Sequence, residues 1–162
     1  MAVFSMTSTM TLVGVAWTGT APGAPGTQTV SGTVASSTDI SIMLTSIDIS
    51  LAADELDYTN FASGGWRQKI SGLKAGTVQL NFNQDYAASQ VDALFGIGGT
   101  FAFGASFYMD VKPTNAARLA TNPSTAMQVL NLGYNPVAGK VGDLAVVSLQ
   151  FPTTGQVARL AS

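Results

Sequence analysis

Residues 39–51 read DISIMLTSIDISL. Apolar and polar side chains alternate from Asp39 to Leu44 and again from Ile47 to Leu51, which is the period of a half-buried β-strand. The alternation changes phase at Thr45-Ser46. This change predicts a turn or a β-bulge, because one inserted residue moves every later side chain to the other face. The stretch therefore indicates a fold built from β-strands.

The rest of the chain extends this pattern in both directions. One helix is expected over about residues 85–96, with Asp85 as its N-cap and Gly96 or Gly98 as its stop. Strands are expected in both halves, and those after the helix follow one another without further helices, which favours antiparallel pairing. The clearest of them cover residues 78–82, 101–109, 126–134 and 144–151. The predicted fold is mainly β, an antiparallel β-sandwich or barrel with one flanking α-helix and long extended arms and loops.

The chain divides into two parts by composition. Residues 18–38 carry no charge and are rich in Gly, Pro, Ser and Thr, so we expect an N-terminal strand followed by an extended arm over residues 1–38. Residues 39–162 then form a single β-sandwich domain. Within it, residues 52–66 are interpreted as an acidic, turn-rich segment, residues 71–76 as a turn and residues 113–125 as a polar loop.

The composition argues against chemistry and for assembly. The 162 residues include no Cys and no His, which removes thiolate chemistry, disulfides and the commonest general base and metal ligand. Charged residues make up 10% of the chain, against about 25% in ordinary soluble domains. A surface this poor in charge favours a protein largely covered by other protein over a monomer with a neutral polar surface, as some secreted β-proteins have. No catalytic, cofactor or metal site is predicted, and no enzyme activity is expected.

The few charges are unevenly placed along the chain. Every charged residue before Arg67 is acidic, whereas the seven bases and four acids from Arg67 onward leave a net positive charge. The bases stand singly, so specific nucleic-acid recognition is not supported. Acid in one segment and base in another instead suits the steering of subunits toward one another. No signal peptide or bilayer-spanning stretch is recognised, and the protein is expected to stay in the cytoplasm until it is assembled.

The acidic segment supplies the candidate contact residues. Asp54, Glu55 and Asp57 could in principle hold Ca²⁺ or form a glycosidase pair, but they lack the Gly and distal acid of a calcium loop and form no evident cleft. An acidic loop that is solvated or lies between subunits is favoured. The residues expected to make inter-subunit contacts are Asp54, Glu55, Asp57, Tyr58, Arg67 and Lys74.

Two stretches of the chain combine turns and strands in a distinctive order. Residues 55–82 contain an acidic turn with Asp57 and Thr59, a Ser63-Gly64 turn, a short strand, Gly72-Leu73 and an alternating strand. Residues 142–155 contain Gly-Asp, the strand VVSLQF and Thr-Gly. With the single predicted helix between them, these stretches resemble the tail tube proteins of long-tailed phages, the family with the lambda-like tail tube fold, which also places one helix there.

The resemblance implies a structural virion protein. Six copies would form a ring, neighbouring strands would close a wide inner barrel, and stacked rings would form a tube through which phage DNA passes without specific binding. The partners would be further copies of the chain and other tail proteins, with no membrane involved. Two alternatives stay open: another virion part, such as a capsid decoration protein or head–tail connector, and a ligand-binding β-sandwich or adhesin that uses Trp17, Tyr58, Trp66 and Tyr134.

Overall fold

A computed structural model describes residues 9–23, 29–137, 140–141 and 143–161. Ten strands and one short α-helix lie in these ranges, with a single 3₁₀ turn at Phe61–Ser63. The strands are β1 (Met10–Gly14), β2 (Ala16–Thr18), β3 (Thr33–Ala35), β4 (Thr38–Asp39), β5 (Leu44–Asp57), β6 (Lys69–Asn83), β7 (Ser106–Lys112), β8 (Ser124–Leu130), β9 (Val146–Pro152) and β10 (Ala158–Leu160). The helix α1 covers Val91–Phe95.

The strands form three antiparallel sheets. The largest has five strands in the order β10-β8-β7-β1-β4, the second has three in the order β5-β6-β9, and β2 pairs with β3 in a small hairpin. The described strands leave the sheets open at their edges. The prediction of a mainly β, antiparallel fold with one flanking helix is therefore confirmed, in the form of a sandwich.

The core lies between the five-stranded and the three-stranded sheet. Alternate side chains of β6 and β9 face alternate side chains of β7 and β8, as the period of two requires. Phe95 of α1 closes one end of this core, with its ring centroid 5.5–5.9 Å from those of Phe82, Phe101, Phe107 and Phe151. The helix is short because only its face with Val91, Leu94 and Phe95 is needed to cover that end.

The phase change predicted at Thr45-Ser46 is confirmed as a β-bulge. Leu44 pairs with Phe82 and Ser46 pairs with Asn81, so Thr45 is the extra residue on β5. Its hydroxyl donates to the carbonyl of Asn81 at 2.9 Å, which satisfies a backbone group at the irregularity. A further short strand, β10, pairs with β8 near the C-terminus.

The interpretation of residues 71–76 as a turn was wrong, and that of residues 52–66 as a turn-rich segment is confirmed only for residues 58–66. β5 continues to Asp57 and β6 begins at Lys69, so most of both segments belongs to one long hairpin. Their side chains give no alternating signal because almost all of them are exposed on both faces. Gly72, expected in a turn, instead lies at a second register shift in this hairpin, opposite the stretch between Ala53 and Glu55.

The helix expected over residues 85–96 covers only Val91–Phe95. Asp85 does not cap it, because its carboxylate accepts from the backbone N–H of Ala87 at 2.8 Å and makes a local turn. Ser89 then adopts a positive φ of 65°, which no helix interior accommodates. The predicted stop at Gly96 is confirmed, since this residue caps the helix and its N–H donates to the Asp92 carbonyl.

The strand expected over residues 101–109 begins only at Ser106. Phe101 is buried as predicted, but Phe103 is exposed because the chain turns at Ala102–Ala105 with Gly104 at positive φ. The buried amide of Asn131 holds this turn: its nitrogen donates to the carbonyl of Phe101 at 2.8 Å, and its backbone carbonyl accepts from Gly104.

The extended arm expected over residues 18–38 is, in its described residues, folded against its own subunit. Strands β2 and β3 pair with each other and lie on the outer face of the five-stranded sheet. Val34 of β3 and the preceding Val30 are buried there. Trp17 packs on Tyr108 and donates its indole N–H to the carbonyl of Ser31 at 2.8 Å. Residues 24–28 of the expected arm lie outside the described residues.

A buried ion pair ties this hairpin to the loop that precedes β8. The guanidinium of Arg118 lies 2.8 Å from the carboxylate of Asp110, which is 1% exposed, and also donates to the carbonyl of Gly32 at 2.8 Å. The polar loop predicted over residues 113–125 is thereby attached both to β7 and to the β2–β3 hairpin.

Candidate assembly surface

The outer half of the β5–β6 hairpin leaves the sandwich without a layer on either side. Between Leu51 and Ala75 the described side chains are exposed, apart from the half-buried Gln68 and Gly72. A two-stranded ribbon is marginally stable alone in water, and contiguous exposed apolar groups mark interaction sites. The exposed apolar residues here are Leu51, Leu56, Tyr58, Phe61, Trp66, Ile70 and Leu73.

The second register shift is an extra residue on β6, so it moves Ile70 to the other face of this ribbon. Up to Ala53, which pairs with Lys74, β5 follows the register that places Ile47 and Ile49 toward the core. Beyond the shift Leu56 pairs with Ile70, and these two side chains lie on the face opposite to Ile47. A β-carbon at Gly72 would lie 3.1 Å from both Asp54 Cβ and Leu56 Cγ, so glycine permits this close crossing of the strands.

The tip of the hairpin, residues 58–68, is held in shape by local hydrogen bonds. The carboxylate of Asp57 accepts from both the backbone N–H and the hydroxyl of Thr59, and the Thr59 hydroxyl accepts from the N–H of Gln68 at 2.9 Å. The same two bonds from Thr59 lower the pKa of Asp57 below its usual value. The aromatic side chains of Phe61 and Trp66, 110% and 81% exposed, project from this ordered turn.

All six residues predicted to make inter-subunit contacts lie on this hairpin. Asp54, Glu55 and Asp57 lie on β5, Lys74 lies on β6, and Tyr58 and Arg67 lie in the tip. Glu55 makes an exposed ion pair with Lys69, with 2.6 Å between the carboxylate and ammonium groups. Within the described ranges, the other charged members of this set have no ion-pair partner. The structure brings the six to one element but not into one cluster, and their contact with a neighbour stays a prediction.

Sequence reasoning missed the apolar part of the same surface. Phe61, Ile70 and Leu73 are exposed like the charged residues around them. Apolar and polar side chains do not alternate in this segment, because neither face of the hairpin is buried by a covering layer. The usable signal was composition: an aromatic or aliphatic residue recurs every few positions in a segment otherwise interpreted as turns.

A groove opens where this hairpin leaves the sandwich. It has a volume of about 450 Å³, and its lining is mostly apolar. Its walls come from β5, β6 and the turn between β9 and β10, with Leu51, Ala53, Lys74, Thr153 and Val157 among the lining residues. Gly76 forms its floor, where reciprocal hydrogen bonds with Thr153 of 2.9 and 3.1 Å join β6 to the end of β9.

The three-stranded sheet also has two edges without a partner strand in the described part of the chain. β5 pairs only with β6 on one side, and β9 pairs only with β6 on the other. The open edge of β5, a strand of fourteen residues, presents unpaired backbone N–H and C=O groups that can pair with another chain. Near the β9 edge lie the exposed apolar side chains of Leu144 and Val146.

The outward face of this sheet is polar and nearly uncharged. The side chains that point away from the core include Ser46, Asp48, Ser50, Thr77, Gln79, Asn81, Ser148 and Gln150. Several bond to one another across the strands: the amide of Asn81 donates to Ser46 at 2.6 Å, and that of Gln79 donates to Ser148 at 3.2 Å. Asp48 carries the one charge among these eight residues, and it is negative.

The aromatic residues considered for ligand binding do not converge on one cleft. Trp17 packs in the β2–β3 hairpin, and Tyr58 and Trp66 lie at the tip of the β5–β6 hairpin. Tyr134 lies in the loop after β8, where its hydroxyl donates to the carboxylate of Asp92 at 2.7 Å and accepts from the amide of Gln84 at 3.1 Å. Partial burial and the bond to Asp92 raise the pKa of Tyr134 to about 12.

The acids considered for calcium or glycosidase chemistry do not converge either. Asp54 and Glu55 are neighbours on an extended strand, so their side chains leave it on opposite faces. Over the described ranges, no group of three or more His, Cys, Asp or Glu side chains is arranged to hold a metal ion. No helix in these same ranges is long and apolar enough to cross a membrane.

Comparison with known proteins gives likeness of fold only. No protein-family model matches the sequence, and no curated protein is significantly similar to it. Among solved structures, the SPP1 tail tube protein aligns with 99% of this chain and 80% of its own, with a TM-score of 0.60 and 9% identity. A chain from the virion of a gene transfer agent particle aligns over 74% of this chain and 85% of its own, with a TM-score of 0.55 and 18% identity.

A third similar structure comes from the tail of an empty gene transfer agent particle with C6 symmetry. It aligns over 74% of this chain and 83% of its own, with a TM-score of 0.55 and 17% identity. The chain therefore has the fold found in the SPP1 tail tube and in these particles, which confirms the fold expected from the resemblance of residues 55–82 and 142–155.

Proposed function

We propose that this chain is a structural virion protein, a tail tube subunit that self-assembles into stacked rings and performs no catalysis. The observation that carries the proposal is the fold shared with the SPP1 tail tube protein along 99% of the chain. The surface supports it independently, because the described residues combine two open sheet edges with a long ribbon of exposed apolar side chains.

The ring contact follows from the two open edges of the three-stranded sheet. If the β9 edge of one copy pairs with the β5 edge of the next, the three-stranded sheets of a ring close into one barrel and none of their edges remains open. Both strands are antiparallel to β6, so they run in the same direction. Cyclic symmetry preserves that direction, and the pairing between copies is therefore parallel.

Six copies are the expected number in each ring. The gene transfer agent tail with a similar chain has C6 symmetry, and the same number is assigned to this chain as part of the proposal. The wide barrel that results has the core of each sandwich on its outer side and the polar face of the three-stranded sheet toward its lumen.

The chemistry of that face suits a passage for DNA. The eight side chains described above include no Lys or Arg, so they offer no cation to exchange for the counterions of the phosphate backbone. DNA would move through such a lumen without binding specifically. Other tail proteins are the expected partners at the two ends of the tube, and the location is the phage tail after assembly in the host cytoplasm.

Electron microscopy of the purified chain tests the ring directly. We expect hollow rings or tubes in negative stain as the concentration rises, with six-fold symmetry in end-on views. Leu51 pairs with Gly76, whose backbone groups bond to Thr153 and not to β5, so the Leu51 N–H points to the open edge. Substituting Leu51 by proline should abolish rings, since it removes this donor from the edge while the hydrogen bonds to β6 remain.

A role as a capsid decoration protein or head–tail connector predicts a different result in the same microscope. The chain would then stay in small particles alone and bind to heads when capsids are added. That outcome would move the protein to another part of the virion and would end the tube proposal.

A further inference from the structure

The two open edges of the three-stranded sheet differ in which residues point their backbone groups outward. We infer that β9 of one copy pairs in parallel with β5 of the next in one register, with Ser148 opposite Ser50, and that this register packs Leu51 on Leu132. The inference rests on the proposed tube function and adds the register of the contact within each ring.

The hydrogen bonds of Gly76 show which residues point their backbone groups toward each edge. Both of its backbone groups bond to Thr153, just after β9, and along an antiparallel strand the bonding direction alternates from residue to residue. Alternate residues of β5 and β9 therefore bond to β6, and the residues between them point their N–H and C=O groups toward the open edge. These edge-pointing residues are Val146, Ser148 and Gln150 on β9 and Ile47, Ile49 and Leu51 on β5.

The side chains of these two sets lie on opposite faces of the sheet. Ser148 and Gln150 project from the polar outward face, whereas Ile47 and Ile49 pack on the core. In a parallel pair, a residue that points its backbone groups at the partner strand lies opposite one that points them away, and both side chains share a face. Parallel pairing of β9 with β5 therefore continues both faces across the contact, whereas antiparallel pairing would place the polar face against the core face. The edges are in phase for the parallel pairing that cyclic symmetry requires.

The amount of stagger between copies follows from closing the sheet into a barrel, whose strands tilt by about 35–45° from its axis. Each copy adds three strands about 4.8 Å apart, and each residue of stagger shifts the next copy by about 3.3 Å. A stagger of about four residues then gives a tilt of about 43°, against about 25° for two residues and about 54° for six, whatever the number of copies. Odd values are excluded because they would exchange the two faces.

The bulge at Thr45 fixes the direction of the stagger. Within one copy, Ser148 and Ser46 lie in one row across the sheet, each opposite Asn81. A stagger toward the start of β5 would bring β9 against the bulge, where the two faces interchange. β5 has fourteen residues and β9 has seven, and the surplus lies at the end of β5. The stagger therefore runs in that direction and places Ser148 opposite Ser50 of the next copy.

A groove along β9 provides space for the strand placed there. Residues 132–135 line it together with Ser148 and Gln150, and its volume is about 410 Å³. This segment continues from β8 in the opposite sheet, and an antiparallel bridge between Val129 and Thr153 starts it beside the end of β9. β5 of the next copy would pair with β9 in this groove, flanked by the segment on the core side.

The same register brings together two exposed leucines. Leu132 is 55% exposed and lines the groove near Gln150, and Leu51 is 60% exposed although it lies in phase with the core-facing residues of β5. In this register Leu51 falls between the rows of Ser148 and Gln150. It therefore packs on Leu132 of the neighbouring copy, and both side chains leave water in a contact outside the backbone pairing.

Cysteine cross-linking identifies the register, because the chain has no native cysteine. Copies that carry both Ser50→Cys and Ser148→Cys are oxidised under ring-forming conditions. Within one copy β6 separates the two positions by at least about 10 Å, which a disulfide cannot span. We expect successive copies to be linked, giving a ladder of covalent oligomers on a non-reducing gel.

Two matched variants place the first cysteine at other rows of β5. Ser46→Cys with Ser148→Cys corresponds to no stagger, and Asp48→Cys with Ser148→Cys corresponds to a stagger of about two residues. Each should cross-link at least about 10-fold more slowly, since its cysteine Cα atoms would lie about 7 Å or more apart across the contact.

The leucine contact is tested by Leu132→Asp. Because this side chain is exposed, the melting temperature should not change, whereas the protein concentration needed for rings should rise by at least about 10-fold. Leu51→Lys in the same chain should restore rings through a charge pair between copies. Leu119→Asp is the control, since Leu119 is 57% exposed and lies in the loop before β8, outside the three-stranded sheet, and it should change neither quantity.

The outcomes separate this inference from the proposed function. If the unsubstituted chain forms no rings, the proposed function fails. If rings form but the ladder is strongest for the Ser46→Cys or Asp48→Cys variant, or is absent from all three, the register is wrong and the tube proposal stands. Leu132→Asp chains that form rings at the usual concentration would overturn the leucine contact in the same way.

Discussion

At the scale of single residues, the ion pair between Asp110 and Arg118 has a large desolvation cost, because both charges are removed from water. The Asp110 carboxylate is almost fully buried, and one of its oxygens and the Arg118 Nε have no hydrogen-bond partner in the structure. A buried pair with incomplete bonding contributes little net stability, but loss of one partner leaves a buried charge. The pair therefore acts mainly to specify how the loop before β8 meets the β2–β3 hairpin.

Replacing Arg118 by Met should lower the free energy of unfolding by about 3–5 kcal/mol, because Asp110 would then be buried without a counter-ion. Urea denaturation of the monomer measures the change. The matched control is Lys69→Met, which breaks the exposed pair with Glu55 and should cost at most about 1 kcal/mol. Equal losses for the two variants would contradict the structural role assigned to Asp110.

The raised pKa of Tyr134 predicts that the stability of the folded protein falls at high pH. Its pKa is raised in the folded state to about 12, so its contribution to stability is complete below the ordinary value of 10.0 and is lost as the pH rises through 12. An ultraviolet titration of the protein minus that of Tyr134→Phe should show one phenol ionising near 12. A difference spectrum that titrates near 10 would show that the partial burial of Tyr134 and its bond to Asp92 are not maintained in solution.

At the scale of elements, the β2–β3 hairpin depends on a glycine. Gly32 has a φ of +101°, and a β-carbon there would lie 1.6 Å from the carbonyl oxygen of Thr18. Gly32→Ala should therefore destabilise the protein by more than about 1 kcal/mol. Gly133→Ala is the control, since its β-carbon would meet nothing within 4 Å, and its change should stay within about 0.5 kcal/mol.

Thermal denaturation of the two glycine variants gives the comparison. The near-ultraviolet signal of Trp17 should change in Gly32→Ala, because its indole bonds to the neighbouring Ser31. An unchanged melting temperature and Trp17 signal would mean that the hairpin does not pack on the sandwich as described.

The sequence predicted elements well wherever one face of a strand is buried. The alternation before and after Thr45, and that of residues 78–82 and 144–151, follows from a core on one side, and the bulge could be located from the phase change alone. The outer part of the β5–β6 hairpin could not be recognised, because its strands are set by pairing with each other and not by a core. Asp54, Glu55 and Asp57 therefore gave the composition of a turn while lying in a strand.

The candidate surface was predicted in part for the same reason. The charged residues were identified because charge is rare in this chain, and all of them lie on one hairpin. The groove where the β5–β6 hairpin leaves the sandwich includes Thr153 and Val157, which are far from β6 in the sequence. No local sequence pattern could therefore reveal it. Helix length was also a non-local outcome, since Asp85 and Ser89 form a turn where the apolar stripe alone suggested a longer helix.

At the scale of the whole molecule, the sandwich has a well-buried core but a surface with open sheet edges and exposed apolar side chains. Its three-stranded sheet has open edges on both sides, and its longest hairpin has exposed apolar side chains on both faces. A chain with only 10% charged residues has little else to keep such a surface soluble. The proposed assembly with further copies would cover the edges and the hairpin together.

The charge of the lumen provides a prediction at this scale. Tubes of Gln79→Lys/Gln150→Lys chains should retain short double-stranded DNA in a form protected from nuclease, and the retention should fall steeply with added salt. Tubes of the unsubstituted chain should protect none. Lysine at Thr100, an exposed position outside the three-stranded sheet, is the control. Equal protection by the control would place the polar face of β5, β6 and β9 on the outside of the tube.

All of these proposals depend on the assembly of this chain, by itself, into hollow stacked rings. Negative-stain electron microscopy of the purified protein across a concentration series is the first measurement to make. We expect rings at moderate concentration and tubes with a stain-filled lumen at high concentration. Particles that stay monomeric at every concentration, both alone and with a tail initiator complex added, would contradict it.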